Sequence, residues 1–129
     1  MKKILIMGLP GSGKTTLAGE LRKLLPGSVV WLNADEVRRK FNDWDFSHDG
    51  RIRQSMRMRE LADRSGADYV ICDFVAPLPE MRHNFKADWV IWVDTIEQGR
   101  FEDTNKVFVA PTMYDFRVTE QNAEKDRKS

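Results

Sequence analysis

Cysteine is nearly missing from this chain: Cys72 is the only one in 129 residues. A single cysteine excludes an intrachain disulfide, and no metal-ligand spacing is present. Lying in the apolar run Tyr69–Cys72, it reads as an inert buried thiol. Long apolar runs are missing too. The first, Ile4–Met7, stops at Gly8, too short for the core of a signal peptide or for a membrane span, so a soluble cytoplasmic protein is expected. Charge of one sign is also lacking. With 21 Lys and Arg against 20 Asp and Glu, the net charge of +1 gives no field that would direct the whole molecule to nucleic acid or to a membrane. Repeats, low-complexity tracts and linkers are absent, and the length suits one domain, residues 1–129, rather than two.

What is present is alternation. Apolar runs rich in β-branched residues stand at Ile4–Met7, Ser28–Leu32, Tyr69–Cys72, Trp89–Val93 and Phe116–Thr119. Helical patterns fill the intervals: Lys14–Leu25, Ala34–Phe41, Ser47–Ser65, a short Leu78–Phe85 and Thr95–Asp103, with Glu120–Ser129 a short or frayed helix. Continuous apolar runs suit strands covered on both faces, and strand–helix–strand order implies right-handed parallel crossovers. The expected fold is a three-layer α/β domain on a parallel sheet of about five strands. Ligands of such sheets sit beyond the carboxyl ends of the strands. Gly8, Asn33–Asp35, Asp73–Pro77 and Asp94 all fall there, so one cleft is expected to collect them.

The most specific motif is Gly8-Leu9-Pro10-Gly11-Ser12-Gly13-Lys14-Thr15, a match to G-x-x-x-x-G-K-[ST]. It follows a predicted strand and opens a predicted helix, as phosphate binding requires. Gly8, Gly11 and Gly13 free the backbone to turn its N–H groups inward, with Ser12 between them, and the helix N-terminus adds its positive end. Lys14 is expected to reach the β- and γ-phosphates of ATP, Thr15 to ligate Mg²⁺, and Thr16 to meet the α-phosphate.

Two further strand ends carry candidates. Asn33 is placed to cap the next helix, and Asp35 lies in that helix's first turn. Asp35 either serves the helix dipole or takes a catalytic role, accepting or orienting the proton of an acceptor hydroxyl; the second reading is favoured. Arg38, one turn on, shares its face, and an acid beside an arginine suits an anionic substrate that bears a hydroxyl. Asp73 is either an acid that supports magnesium or a turn residue. Phe74 and Pro77 wall the pocket or pack beneath it. From Arg38 to Arg64 there are eight basic residues, roughly half of them expected on solvated helix faces.

From Gly8 to Pro77 the sequence resembles adenylylsulfate kinases, which transfer the γ-phosphate of ATP to the 3′-hydroxyl of adenosine 5′-phosphosulfate. The resemblance lies in the loop Gly8–Thr15, in Leu32-Asn33-Ala34-Asp35-Glu36-Val37-Arg38, in the stretch Asp45–Arg57 around Phe46-Ser47 and Arg51, and in Phe74-Val75-Ala76-Pro77. It implies that Phe46 stacks on the substrate adenine, and that Arg38 and Arg51 hold the phosphosulfate. It also implies that Arg100 meets the ATP phosphates. Helix periodicity adds Gln54. Met58, Leu61, Ala62 and Ser65 form a stripe toward the sheet whose extension reaches Ser55, Gln54 and Arg51, whereas Arg53, Arg57 and Arg64 fall on a solvated face. Phe46 has a second reading, as a hydrophobic staple for the helix that follows.

The sequence departs from the family pattern at Asn33 and Gly50, each in place of an Asp, and at Gln54 in place of an Asn. Its lid, Thr104–Thr112 within a region of about 100–113, lacks the family's Lys-Lys-Ala and Gly-Phe-Thr-Gly segments. The expected protein is a compact kinase that uses ATP and Mg²⁺ on a small-molecule nucleotide. Neither nucleic acid nor a membrane is an expected partner, and a homodimer stays open. A kinase for a nucleoside, a sugar acid or a polynucleotide 5′-end, and a non-catalytic ATP-binding module, are the competing readings.

Overall fold

The computed structural model describes residues 1–96 and 102–120. Five strands form one parallel sheet in the order β2-β3-β1-β4-β5: β1 Lys2–Met7, β2 Val29–Asn33, β3 Tyr69–Asp73, β4 Trp89–Val93 and β5 Phe116–Val118. The central strand, β1, is buried from Lys3 to Met7. Its side chains alternate between two cores, as a strand's period of two requires. Ile4 and Ile6 join Ile71 and Val93 beneath α1 (Lys14–Leu24), while Leu5 and Met7 join Val70, Cys72, Met58 and Phe85 on the opposite face. That opposite face is covered by α2 (Ala34–Phe41), α3 (His48–Asp63) and α4 (Pro79–Phe85). Burial of a large apolar side chain such as Phe85 or Met58, each fully enclosed, contributes roughly 1.5–3 kcal/mol. Three layers with apolar strands between them are what the sequence pattern predicts. Cys72 is buried in the second core, and burial pushes its thiol well above the ordinary range, in keeping with an inert side chain.

The inward stripe of α3 runs as periodicity predicts: Met58 and Ala62 are fully buried, and Ser55, Gln54, Arg51 and Gly50 continue the buried line toward the strand ends. One expected element lies partly outside the described residues. The expected helix Thr95–Asp103 does not begin at Thr95, whose hydroxyl instead donates to the Ser12 carbonyl at 2.6 Å. A short helix, α5, spans Glu102–Val107 and so occupies the start of the segment read as a lid. Arg100 and residues 121–129 lie outside the described residues. Among those described, no helix is long and apolar enough to cross a membrane.

Candidate active site

The phosphate loop joins β1 to α1. Gly8 has φ 153°, and a Cβ there would stand 2.4 Å from the Val93 carbonyl oxygen, so the loop can leave the sheet only through glycine. Gly13 caps α1 at φ 106°, again left-handed, and Lys14 is the first helical residue. Lys14 is almost fully buried, with Nζ donating to the Leu9 carbonyl at 3.0 Å, so its ammonium lies across the loop's own curve. Ser12 is fully buried, and its Oγ has no hydrogen-bond partner among the described residues. A buried orphan hydroxyl in a glycine-rich loop at a helix N-terminus suits a strong anionic ligand.

The register of β2 on β3 sets Asn33 beside Asp73, and the parity of both strands puts Trp31 and Asp73 on the α1 side. Asp73 accepts hydrogen bonds on both oxygens: Oδ1 from Asn33 Nδ2 at 2.9 Å and Oδ2 from the Trp31 indole N–H. Burial raises the Asp73 carboxyl above the ordinary range, opposed by these two donors and by the Lys14 charge. Asn33 also accepts from the Glu36 N–H at 3.1 Å, so one side chain caps α2 and holds Asp73. Trp31 has no counterpart among the residues read from sequence; only the pairing of distant strands brings it to Asp73.

One cavity of about 770 Å³ opens beyond the strand ends. Lys14, Thr15 and Thr16 line one part of it, and Asp35, Arg38, Phe46, Arg51 and Gln54 another, with Asp73 and Phe74 also on its wall. Gly8 and Ser12, also in the loop, do not line it. Asp94 is not collected: its carboxylate turns away to Arg117 on β5, 2.6 Å from Nη2, a pairing favoured because the neighbouring strands run side by side. Phe74 is 3% exposed and packs edge-on against Phe85, so it belongs to the core as well as to the wall. Gln54 is engaged at both ends, donating to the Ala34 carbonyl and accepting from Arg57.

Arg38 and Arg51 are both buried, 5% and 6% exposed, and both lie over the Phe46 ring, at 4.3 and 5.5 Å from its centroid. Burial lowers the Arg38 pKa, though a guanidinium keeps its charge at neutral pH. Arg51 Nη2 reaches the Thr104 hydroxyl at 3.5 Å, which brings α5 to the cavity. Arg57 is a correction. Expected on a solvated face, it is instead mostly buried, bonded to Asp43 at 2.8 Å and stacked over Phe41, because the turn after α2 folds back across α3. Arg82, also missed from sequence, donates to the Ala76, Pro77 and Val109 carbonyls. It thereby braces a wall in which Ala76 holds a left-handed φ of 46°. Burial pushes Arg82 down to about 10.

The family model of adenylylsulphate kinase matches residues 2–122 of the chain. The chain belongs to that family. This kinase is therefore an ATP-dependent phosphotransferase. Among solved structures, the Mycobacterium tuberculosis APS kinase CysC in complex with AMPPNP and APS is 19% identical, with a TM-score of 0.76 over 98% of this chain and 92% of that one. The Acinetobacter baumannii shikimate kinase in complex with shikimate is 20% identical, with a TM-score of 0.65 over 98% and 88%. A gluconokinase from Sinorhizobium meliloti is 14% identical, with a TM-score of 0.61 over 92% and 81%. At these identities the likeness is one of fold. No curated protein matches the kinase in sequence.

Proposed function

We propose that this kinase transfers the γ-phosphate of ATP to a hydroxyl of a small anionic nucleotide, with adenosine 5′-phosphosulfate the first candidate. The observation that carries this reading is the shared cavity. A phosphate loop lines one part, and two buried arginines stacked on an aromatic ring line another, with the Asp35 carboxylate also on its wall. Arg38 makes both its loop bonds through Nη1 and lines the cavity, which supports a role in holding an acceptor's anionic group. Buried cations held ready in this way favour an anion without reorganisation.

In this reading Lys14 moves from the Leu9 carbonyl to the β- and γ-phosphates, and Thr16 meets the α-phosphate. Gly8, Gly11, Ser12 and Gly13 shape the loop. The acceptor oxygen bonds to the γ-phosphorus as the bond to the β–γ bridging oxygen breaks, and the hydroxyl proton passes to Asp35. Arg38, Arg51 and Gln54 fix the acceptor, while Phe46 stacks on its base above Phe74. Among the described residues no cluster of three or more His, Cys, Asp or Glu is placed to hold a metal alone. Thr15 and Asp73 both line the cavity and would hold a magnesium ion, which would supply charge neutralisation. Catalysis is then mainly positioning and electrostatics.

The test offers purified protein and Mg-ATP a panel of adenosine 5′-phosphosulfate, nucleosides, shikimate, gluconate and 5′-hydroxyl oligonucleotides, with ADP release followed. Release that depends on adenosine 5′-phosphosulfate supports the proposal. Release driven only by shikimate or gluconate replaces it with a sugar-acid kinase, and equal release with and without acceptors makes the protein a binding module.

A further inference from the structure

The turn between α2 and α3, residues 42–47, is polar and faces solvent, yet it is held at almost every group. Asn42 enters it in a left-handed conformation, φ 50°. Arg38 Nη1 donates to the carbonyls of Asp43 and Asp45, at 3.0 and 3.2 Å. Arg51 Nε donates to the Phe46 carbonyl at 2.8 Å. Arg53 and Arg57 both close on the Asp43 carboxylate at 2.8 Å, and Arg53 also reaches Asp45 at 3.2 Å. The Ser47 N–H donates to Asp45 Oδ1 at 2.9 Å. Four arginines from two helices thus hold three of its six residues, Asp43, Asp45 and Phe46.

What the turn presents is two large rings. Trp44 is 47% exposed and Phe46 49%, and both line the cavity. Half-exposed aromatic rings on a polar turn contribute little to folding by burial. Rings on a rigid support, however, bind with little loss of conformational freedom. Phe46 is already braced by the Arg38 and Arg51 guanidiniums. Trp44 has no ring or cation stacked on it among the described residues, and it borders the cavity beside Arg39. An unstacked indole on a held turn, lining the same cavity as the buried Arg38 and Arg51, matches a ligand with a planar aromatic group and an anionic tail.

We infer that Trp44 is a specificity-determining residue that stacks on the planar base of the acceptor, the turn held by four arginines acting as a platform for a nucleobase. The inference rests on the proposed nucleotide acceptor for its class of ligand, and it requires neither the sulfate nor the transfer step. Shikimate and gluconate have no aromatic face, so the platform discriminates against them. Stacking alone tolerates any base, so adenine is preferred over other bases only weakly at this residue.

The experiment measures equilibrium binding to the full chain with its donor site saturated by a non-hydrolysable ATP analogue. AMP, adenosine 5′-phosphosulfate, shikimate and gluconate are titrated by calorimetry and by tryptophan fluorescence into wild type, Trp44→Ala and Trp44→Phe. Circular dichroism checks that each variant is folded. Both adenine nucleotides are expected to bind wild type and to quench its fluorescence. Trp44→Ala should weaken them about tenfold or more, Trp44→Phe only a few-fold, and the ATP analogue should be unaffected. Unchanged nucleotide affinity in Trp44→Ala overturns the inference, as does a wild type that binds shikimate or gluconate in preference to both nucleotides. If wild type phosphorylates adenosine 5′-phosphosulfate and Trp44→Ala does so with the same KM, this inference fails while the proposed function stands. If AMP binds through Trp44 but no nucleotide is phosphorylated, the proposed function fails and the platform stands.

Discussion

The backbone carbonyl of Asp45 passes so close to Gly50 that a Cβ on Gly50 would stand 2.2 Å from its oxygen and 2.5 Å from the Asp45 Cγ. The Gly50 N–H is meanwhile held by the Ser47 hydroxyl at 3.2 Å. An aspartate, the residue that the family pattern has at this position, cannot fit beneath the turn. Gly50 and the course of residues 42–47 therefore depend on each other.

Replacing Gly50 tests that dependence with an inverted sign. In an open helix, Gly→Ala stabilises by about 1 kcal/mol. Here Gly50→Ala and Gly50→Asp are expected to lower Tm and to raise the acceptor KM about tenfold, with the ATP KM unchanged, because the turn must lift from α3. Thermal melting and steady-state kinetics check this; a Tm at or above wild type contradicts it.

Asp35 is exposed in the first turn of α2, where it could serve the helix dipole alone. Under the proposed role as acceptor of the substrate's proton, replacing it by Asn is expected to lower kcat about 10²-fold or more, with ATP affinity little changed. Lys14→Ala should abolish transfer in a folded protein. Rapid-quench rates beside ATP-analogue titrations separate the two effects, and an unchanged kcat in Asp35→Asn leaves only the dipole role.

Trp31→Phe keeps an aromatic side chain, though a smaller one, and removes the indole N–H from Asp73. A hydrogen bond to a charged group is worth about 1.5–3 kcal/mol, so denaturant unfolding should show a loss of that order. With one of its two donors gone, Asp73 is held less firmly, and the Mg²⁺ concentration for half-maximal rate should rise. Unaltered unfolding together with an unaltered Mg²⁺ requirement shows the contact to be incidental.

The acids of the turn give a pH signature. Hydrogen bonds from Arg53 and Arg57 hold the Asp43 carboxyl well below the ordinary carboxylate range. A depressed folded-state pKa means that stability is present above the unfolded value, about 4, and is lost as the pH falls through the folded one. Asp43→Asn should therefore be less stable than wild type at pH 7 and converge on it as the pH falls well below about 4. Urea unfolding across that range tests it, and a constant difference between the proteins contradicts it.

The parts legible in sequence were those written in local order. Strands read correctly because both faces of the sheet are covered, making Ile4–Met7 and Val70–Cys72 continuous apolar runs. The phosphate loop is legible because its glycines act through local backbone conformation and stand with Lys14 and Thr15 within eight consecutive residues. Arg51 and Gln54 followed from the turn angle of one helix. Pairings between distant elements had no such signal. Trp31 meets Asp73 across 42 residues, and Asp94 leaves the cleft for Arg117, 23 residues away. The period of α3 puts Arg57 toward solvent, because it carries no information about a turn folding back over that face. Thr95 looked like the start of a helix until its hydroxyl found the Ser12 carbonyl.

The central claim is tested most directly by phosphorus NMR of the mixture after Mg-ATP and adenosine 5′-phosphosulfate have been incubated with the protein. The account predicts one new phosphomonoester on the acceptor's ribose 3′-oxygen, formed in equal amount to ADP and absent with Lys14→Ala. ADP accompanied only by inorganic phosphate, with the acceptor unchanged, would contradict it.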